Sequence, residues 1–159
     1  MKNKSRALTG IAGAHFVAAE LSQRGYIATV TSRNTEGIDI LASSPDGSKT
    51  VSIQVKTSGA MHRKSFSRSW MLTRKHEDIS SDNLIYVFVD LNPGDKKPDF
   101  YVVPSKIVAD YVKSGHKKWL KTPGRKGRKH VDTTMRKFDI HDEKAARKYL
   151  NRWSNLGLD

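Results

Sequence analysis

Residues 5–24 are rich in small and apolar side chains, and Gly25 stands where a helix would stop, so the pattern predicts an opening helix. "YIATVTS" (26–32) switches to aromatic and β-branched residues and predicts a strand. "RNTEG" carries turn chemistry. "IDILAS" and "TVSIQVKT" then read as two strands, and the "SPDGSK" between them predicts a tight antiparallel hairpin. From Ser58 to Arg74 the chain turns polar and basic around Phe66, Trp70 and Leu72, which suggests a loop and a short strand near 70–72. "LIYVFVDL" (84–91) is unbroken in its apolar character, as a strand buried on both faces must be. "FYVVP" (100–104) predicts another strand, and Ser105 the cap of a helix over 106–114. Residues 115–137 look irregular. The last sixteen-residue stretch, 141–156, has acids in its first turn and Ala145, Tyr149, Leu150 and Trp153 at helical spacing, predicting a C-terminal helix.

This order of elements, without internal repeats or an evident linker, predicts one α/β domain over 1–159. Its core would span 5–114, with a basic loop over 115–137 and a helix over 141–156. The 159 residues include no cysteine, which excludes disulfides, thiolate metal sites and cysteine nucleophiles. The N-terminal segment has basic residues before an apolar region, but His15 and Glu20 interrupt that region and no clean cleavage site follows. No run approaches the ~20 apolar residues that span a bilayer. The expectation is a cytoplasmic protein with no membrane partner.

Charge changes the picture most. Lys and Arg number 29 against 16 Asp and Glu, a net +13. Such a balance suits an anionic partner, nucleic acid first, with a merely soluble basic surface or attachment to anionic lipid as the bland alternatives. The excess is uneven: "KSGHKKWLKTPGRKGRKH" (113–130) holds eight Lys and Arg and no acid. Lys117, Lys118, Lys121, Arg125, Lys126, Arg128 and Lys129 are therefore candidates for phosphate contact, as are Arg63, Lys64 and Arg68 in the second basic stretch, 62–75. Trp119 could stack on an unpaired base or anchor a core, whereas Phe66 and Trp70 suit packing. His76, His116, His130 and His141 show no metal-ligand spacing and suggest no role. There is no "GxxxxGK[ST]", "GxGxxG" or "HExxH".

On the hairpin, strand alternation turns Val51, Ile53 and Val55 to one side and Gln54 and Lys56 to the other. Asp39 lies on the partner strand. The trio could be ordinary solvated surface. It could also cut a phosphodiester, with Asp39 and the Gln54 carbonyl offering oxygen to Mg²⁺ (or Mn²⁺) and Lys56 orienting or deprotonating a water, or stabilising phosphate charge.

The run "AAELSQRGY", a strand, "GIDI", a turn and "IQVKT" together resemble the PD-(D/E)XK nuclease superfamily, in its restriction-endonuclease-like and Holliday-junction-resolvase-like branches. The resemblance covers residues 8–58, and 84–104 by topology only. It implies a restriction-endonuclease-like sandwich with a mixed central sheet flanked by helices, Asp39 as the metal-binding aspartate, and Gln54 and Lys56 as the (D/E/Q)-x-Lys pair. It further implies a metal-dependent endonuclease, DNA rather than RNA as partner, and a possible homodimer. Two positions depart from the pattern. Ala14 stands where relatives often carry a glutamate, and Gln54 replaces the commoner acid. Glu20 lies six residues on, about 240° round the helix from position 14, and cannot substitute on that face. Glu36 is a possible extra acid. The alternatives are a non-catalytic nucleic-acid-binding module on the same fold and a basic assembly protein.

Overall fold

In the computed structural model, residues 5–32, 36–59, 67–94 and 96–159 are described. Helix α1 spans Arg6–Gln23 and is capped by the Ser5 hydroxyl, which accepts the Leu8 N–H at 3.2 Å. Gly13, Val17, Glu20 and Leu21 recur at helical spacing and are the residues it buries. It ends as the sequence predicts, at a left-handed Gly25 (φ 86°).

Strands β1 (Ile27–Val30), β2 (Ile40–Ser43) and β3 (Thr50–Ser58) form an antiparallel meander. Strand β5 (Leu84–Asp90) runs parallel to β3, and β6 (Asp99–Pro104) closes the sheet antiparallel to β5, giving the order β1-β2-β3-β5-β6. Every residue of β5 is buried, as its unbroken apolar run requires. One face of the sheet packs Ile53, Val55, Val87 and Val89 against Val17 and Leu21 of α1 and against Trp153 and Leu156. The opposite face packs Tyr86, Phe88 and Tyr101 under helix α2 (Ser105–Lys121) and a two-stranded ribbon of β4 (Arg68–Thr73) and β7 (Met135–Ile140). Trp70 anchors that ribbon by donating from Nε1 to the Val89 carbonyl at 2.9 Å.

Several elements differ from the sequence expectation. The helix expected over 106–114 continues to Lys121, because Lys117, Lys118 and Lys121 are good helix formers with exposed side chains. Pro104, not Ser105, is its cap; the Ser105 hydroxyl instead donates to the Ser81 carbonyl at 2.8 Å. The segment read as irregular over 115–137 thus contains a helix end and the start of β7. The C-terminal helix expected over 141–156 is only α3, Glu143–Ala146. Beyond it the backbone covers the open edge of β6: Val102 N–H donates to the Tyr149 carbonyl (3.0 Å) and Asn151 N–H to the Phe100 carbonyl (2.7 Å). Pairing an exposed edge outcompetes continuation of the helix here, and Asn151 turns the chain at φ 52°. No helix among the described residues is long and apolar enough to cross a membrane.

Candidate active site

The register of β2 on β3 pairs Ile40 with Ile53, and Asp39, the residue before β2, lies beside the Ile53–Val55 stretch of β3. The Asp39 backbone is held on both sides, donating to the Ile53 carbonyl (2.9 Å) and accepting from Thr31 N–H (3.0 Å). Its side chain is held as well: Oδ2 accepts the Val55 N–H at 2.7 Å. A carboxylate fixed by a charge-assisted backbone bond at the end of a ladder has little freedom to swing away. The hairpin therefore brings together the residues that the sequence singled out, in a register the sequence alone did not give.

Gln54 is buried, 6% exposed, and its Oε1 has no hydrogen-bond partner among the described residues. A carbonyl oxygen left in that state costs about 1–3 kcal/mol, so the position is unfavourable unless something else uses the oxygen. Lys56 points to the same face and is half-buried. Burial lowers the pKa of its amino group; the charge of Asp39 works against that shift, and Lys75 adds to it. The neighbours of Gln54 and Lys56 across the parallel ladder are Tyr86 and Phe88. The Tyr86 hydroxyl is buried without a partner among the described residues, and burial pushes its pKa up to about 12.

His76 completes this face from a 3-10 turn, Arg74–Glu77, that follows β4. Its ring lies 6.0 Å from that of Tyr86. Its Nδ1 lies 3.0 Å from the Thr73 carbonyl and 3.1 Å from the Thr73 amide nitrogen, and its Nε2 is buried and unpartnered among the described residues. Burial keeps the His76 pKa low; the Thr73 backbone opposes the shift, and the charges of Lys56 and Lys75 reinforce it. Sequence spacing gave His76 and Lys75 no role. Only the packing of the turn over β5 brings them here.

On the other side of Asp39 lies a cleft of about 530 Å³, whose lining includes Gly10, Ala14 and His15 of α1 with Thr31 and Asp39. The position of the missing acid is thus inside the cleft that Asp39 lines. Glu20 is not there. It is buried elsewhere, bonded to Arg24 at 2.8 Å and to Lys97 at 2.6 Å. Burial raises its pKa, but those two cations outweigh that and leave it lowered. Helix α1 approaches β3 closely beside the site: a Cβ on Gly13 would meet Thr57 Oγ1 at 1.8 Å. Glu36, exposed, pairs with Lys75 at 2.9 Å.

The basic residues fall into three groups. Arg63 and Lys64, like Phe66, lie outside the described residues. Arg68, expected to contact a nucleic-acid backbone, is instead mostly buried, its guanidinium engaged with the fully buried Asp90. Unpaired, that carboxylate would be costly, which is why the arginine turns inward. Lys117, Lys118 and Lys121 are exposed along the end of α2. Arg125, Lys126, Arg128 and Lys129 line a second cleft of about 460 Å³ with Gly124 and His130. That turn is closed by Gly124 N–H on the Arg128 carbonyl (2.8 Å) and by Lys126 at φ 60°. Trp119 is neither buried nor idle. Its ring stacks on His130 at 3.9 Å and on His116 at 5.3 Å, tying the basic turn to the helix. Trp70 is core, as expected.

A bacterial homing endonuclease is similar in structure over 98% of this chain and 93% of its own, with a TM-score of 0.60 and 15% sequence identity. The Holliday junction resolvase of Archaeoglobus fulgidus is matched over 86% of this chain and 93% of its own at 15% identity, but its TM-score of 0.38 adds nothing to the fold assignment. No family model and no curated protein matches the sequence. The first likeness shows the fold alone: a restriction-endonuclease-like arrangement, here a mixed five-stranded sheet flanked by helices.

Proposed function

We propose that the protein is a metal-dependent DNA endonuclease with Asp39, Gln54 and Lys56 as its active site. The observation that carries this reading is the hairpin geometry: a carboxylate locked onto the Val55 N–H stands beside a strand bearing a buried amide oxygen with no hydrogen-bond partner among the described residues and a half-buried lysine. The donor set fits Mg²⁺ or Mn²⁺. Both prefer oxygen, Mg²⁺ keeps several waters, and the pair offers one charged and one neutral oxygen. Among the described residues no group of three or more His, Cys, Asp or Glu is placed to hold a metal ion, at the hairpin or elsewhere. A bound cation would polarise the phosphate and acidify an attacking water.

The chain's own residues do the rest. Asp39 and Gln54 fix the position of the hydrolytic centre. Lys56, whose lowered pKa makes its neutral form more accessible, takes a proton from the attacking water as a new P–O bond forms and the bond to the leaving oxygen breaks. In its charged form it stabilises the negative charge building on phosphate oxygens. The exposed cations of α2 and the 124–130 turn hold the DNA backbone, and binding through them weakens steeply with salt.

One observation favours a second reading. Ala14 lies in the cleft beside Asp39 where relatives often supply another acid, as it would in a nuclease fold retained only for binding. A cleavage assay on plasmid, single-stranded and four-way-junction DNA separates the two. Cutting in Mg²⁺ or Mn²⁺, abolished by EDTA and by Asp39→Ala or Lys56→Ala, establishes the enzyme. Salt-sensitive binding without cutting on every substrate establishes the binding module.

A further inference from the structure

The 3-10 turn after β4 carries more than His76. The His76 ring lies against Tyr86, Tyr86 is beside Gln54 on the neighbouring strand, and the preceding residue, Lys75, is near enough for its charge to act on Lys56. Its amino group bonds Glu36 at 2.9 Å, and Glu36 is three residues before Asp39. The ion pair therefore joins the segment that leads into β2 to the turn that follows β4.

As a staple for the fold, this pair is poorly made. Lys75 is 50% exposed and Glu36 85%, and exposed pairs contribute little to stability. Its location also has a cost, since the Lys75 charge is close enough to disfavour protonation of both Lys56 and His76. Lys56 faces the Asp39 carboxylate and Lys75 faces only the exposed Glu36, so an arriving anion that displaced Glu36 would meet both ammonium groups. A weak, exposed partner such as Glu36 is easily exchanged for a phosphate oxygen.

We propose that Lys75 is a substrate-binding residue whose ammonium group contacts a non-bridging oxygen of the phosphodiester at or beside the position to be cut, and that Glu36 holds it until that phosphate arrives. The proposal rests on the hairpin being the site where the backbone is cut. It predicts a coupled pair: Lys75 gains a contact when DNA binds, and Glu36 competes for it.

The test is affinity for a duplex oligonucleotide in EDTA at low salt, where cutting plays no part. Lys75→Ala is expected to weaken binding about fivefold, while Lys144→Ala, the same charge change on the exposed face of α3, changes it less than twofold. Glu36→Gln is expected to tighten binding about two- to threefold, and to lose most of that gain when combined with Lys75→Ala. Lys75→Ala behaving like Lys144→Ala overturns the phosphate contact. A Glu36→Gln gain that persists undiminished without Lys75 overturns the exchange, leaving Glu36 as a plain repulsive charge. Matched melting curves control for folding. Failure of the underlying site reading shows separately, as cleavage that survives Asp39→Asn.

Discussion

Under the proposed function, the hairpin and the basic surface would do different jobs by different physical means. Asp39 is fixed by three backbone hydrogen bonds, and Gln54 is sealed inside the sheet. The cations of α2 and the 124–130 turn stand in solvent, positioned by a helix end, a short turn and the stack of Trp119 on His130. Breaking a bond at phosphorus requires groups held to within fractions of an ångström, which a strand ladder supplies. Holding a polyanion requires only charge at the right density, which tolerates movement. On that proposal, precision is concentrated in three residues and affinity is spread over many. Substitutions in the two regions should fail in opposite ways.

The largest effect is expected at Lys56. Lys56→Met should lower the cleavage rate by about a hundredfold or more while leaving DNA affinity near that of wild type, as single-turnover rates and binding curves would show. Its melting temperature should hold or rise, because a desolvated amino group is replaced by an apolar chain of similar length. A fall in affinity to match the fall in rate would place Lys56 with the holding residues instead.

Next is the packing that supports the site. Gly13→Val forces side-chain atoms into Thr57, one residue beyond Lys56, where even a Cβ would lie 1.8 Å from the hydroxyl oxygen. Overpacking of this kind costs about 1–3 kcal/mol. Denaturant midpoints should fall accordingly, and cleavage should fall with them as α1 is pushed off β3.

Smaller and graded effects belong to the basic surface. Each of Lys121, Arg125, Lys126 and Lys129 changed to Ala should weaken binding uniformly across DNA sequences and reduce the slope of log affinity against log salt by about 1 per lost phosphate contact. Combined, they should abolish binding at physiological salt with the hairpin untouched.

The smallest effect is a pH dependence. His76 has a lowered pKa in the folded protein, chiefly through burial, so between that value and 6.5 the unfolded chain binds more protons than the folded one. Stability should therefore rise with pH across that window and be lost as pH falls through it. His76→Gln, which does not titrate there, should flatten the curve of unfolding free energy against pH.

Much of the candidate hairpin's geometry could be read from the chain because its logic is local. The alternation of Val51, Ile53 and Val55 with Gln54 and Lys56 is a period-two pattern, and "SPDGSK" specified the turn, with Gly47 at φ 72°. What stayed hidden depends on tertiary contact. Strand β7 alternates correctly, but one of its inward residues is Arg136, 4% exposed and paired with Glu77, and a buried arginine masks the pattern. The helix expected over 141–156 has real amphipathic spacing, yet its backbone is needed at the edge of β6. Lys75 and His76 enter the site from a turn nineteen residues beyond Lys56 in the chain, and no spacing rule links them to it. Arg68 looked like surface because nothing in the sequence announces that Asp90, at the end of a buried strand, needs a partner.

The most direct test of the central claim is a single comparison, wild type against Asp39→Asn, with plasmid nicking in Mg²⁺ and DNA affinity measured on the same preparations. The substitution keeps the shape and removes the charge of the carboxylate that the Val55 N–H holds in place. Nicking by wild type that is lost in the variant, at unchanged affinity, is the predicted result. Nicking that persists in the variant would contradict the account and place the chemistry elsewhere on the fold.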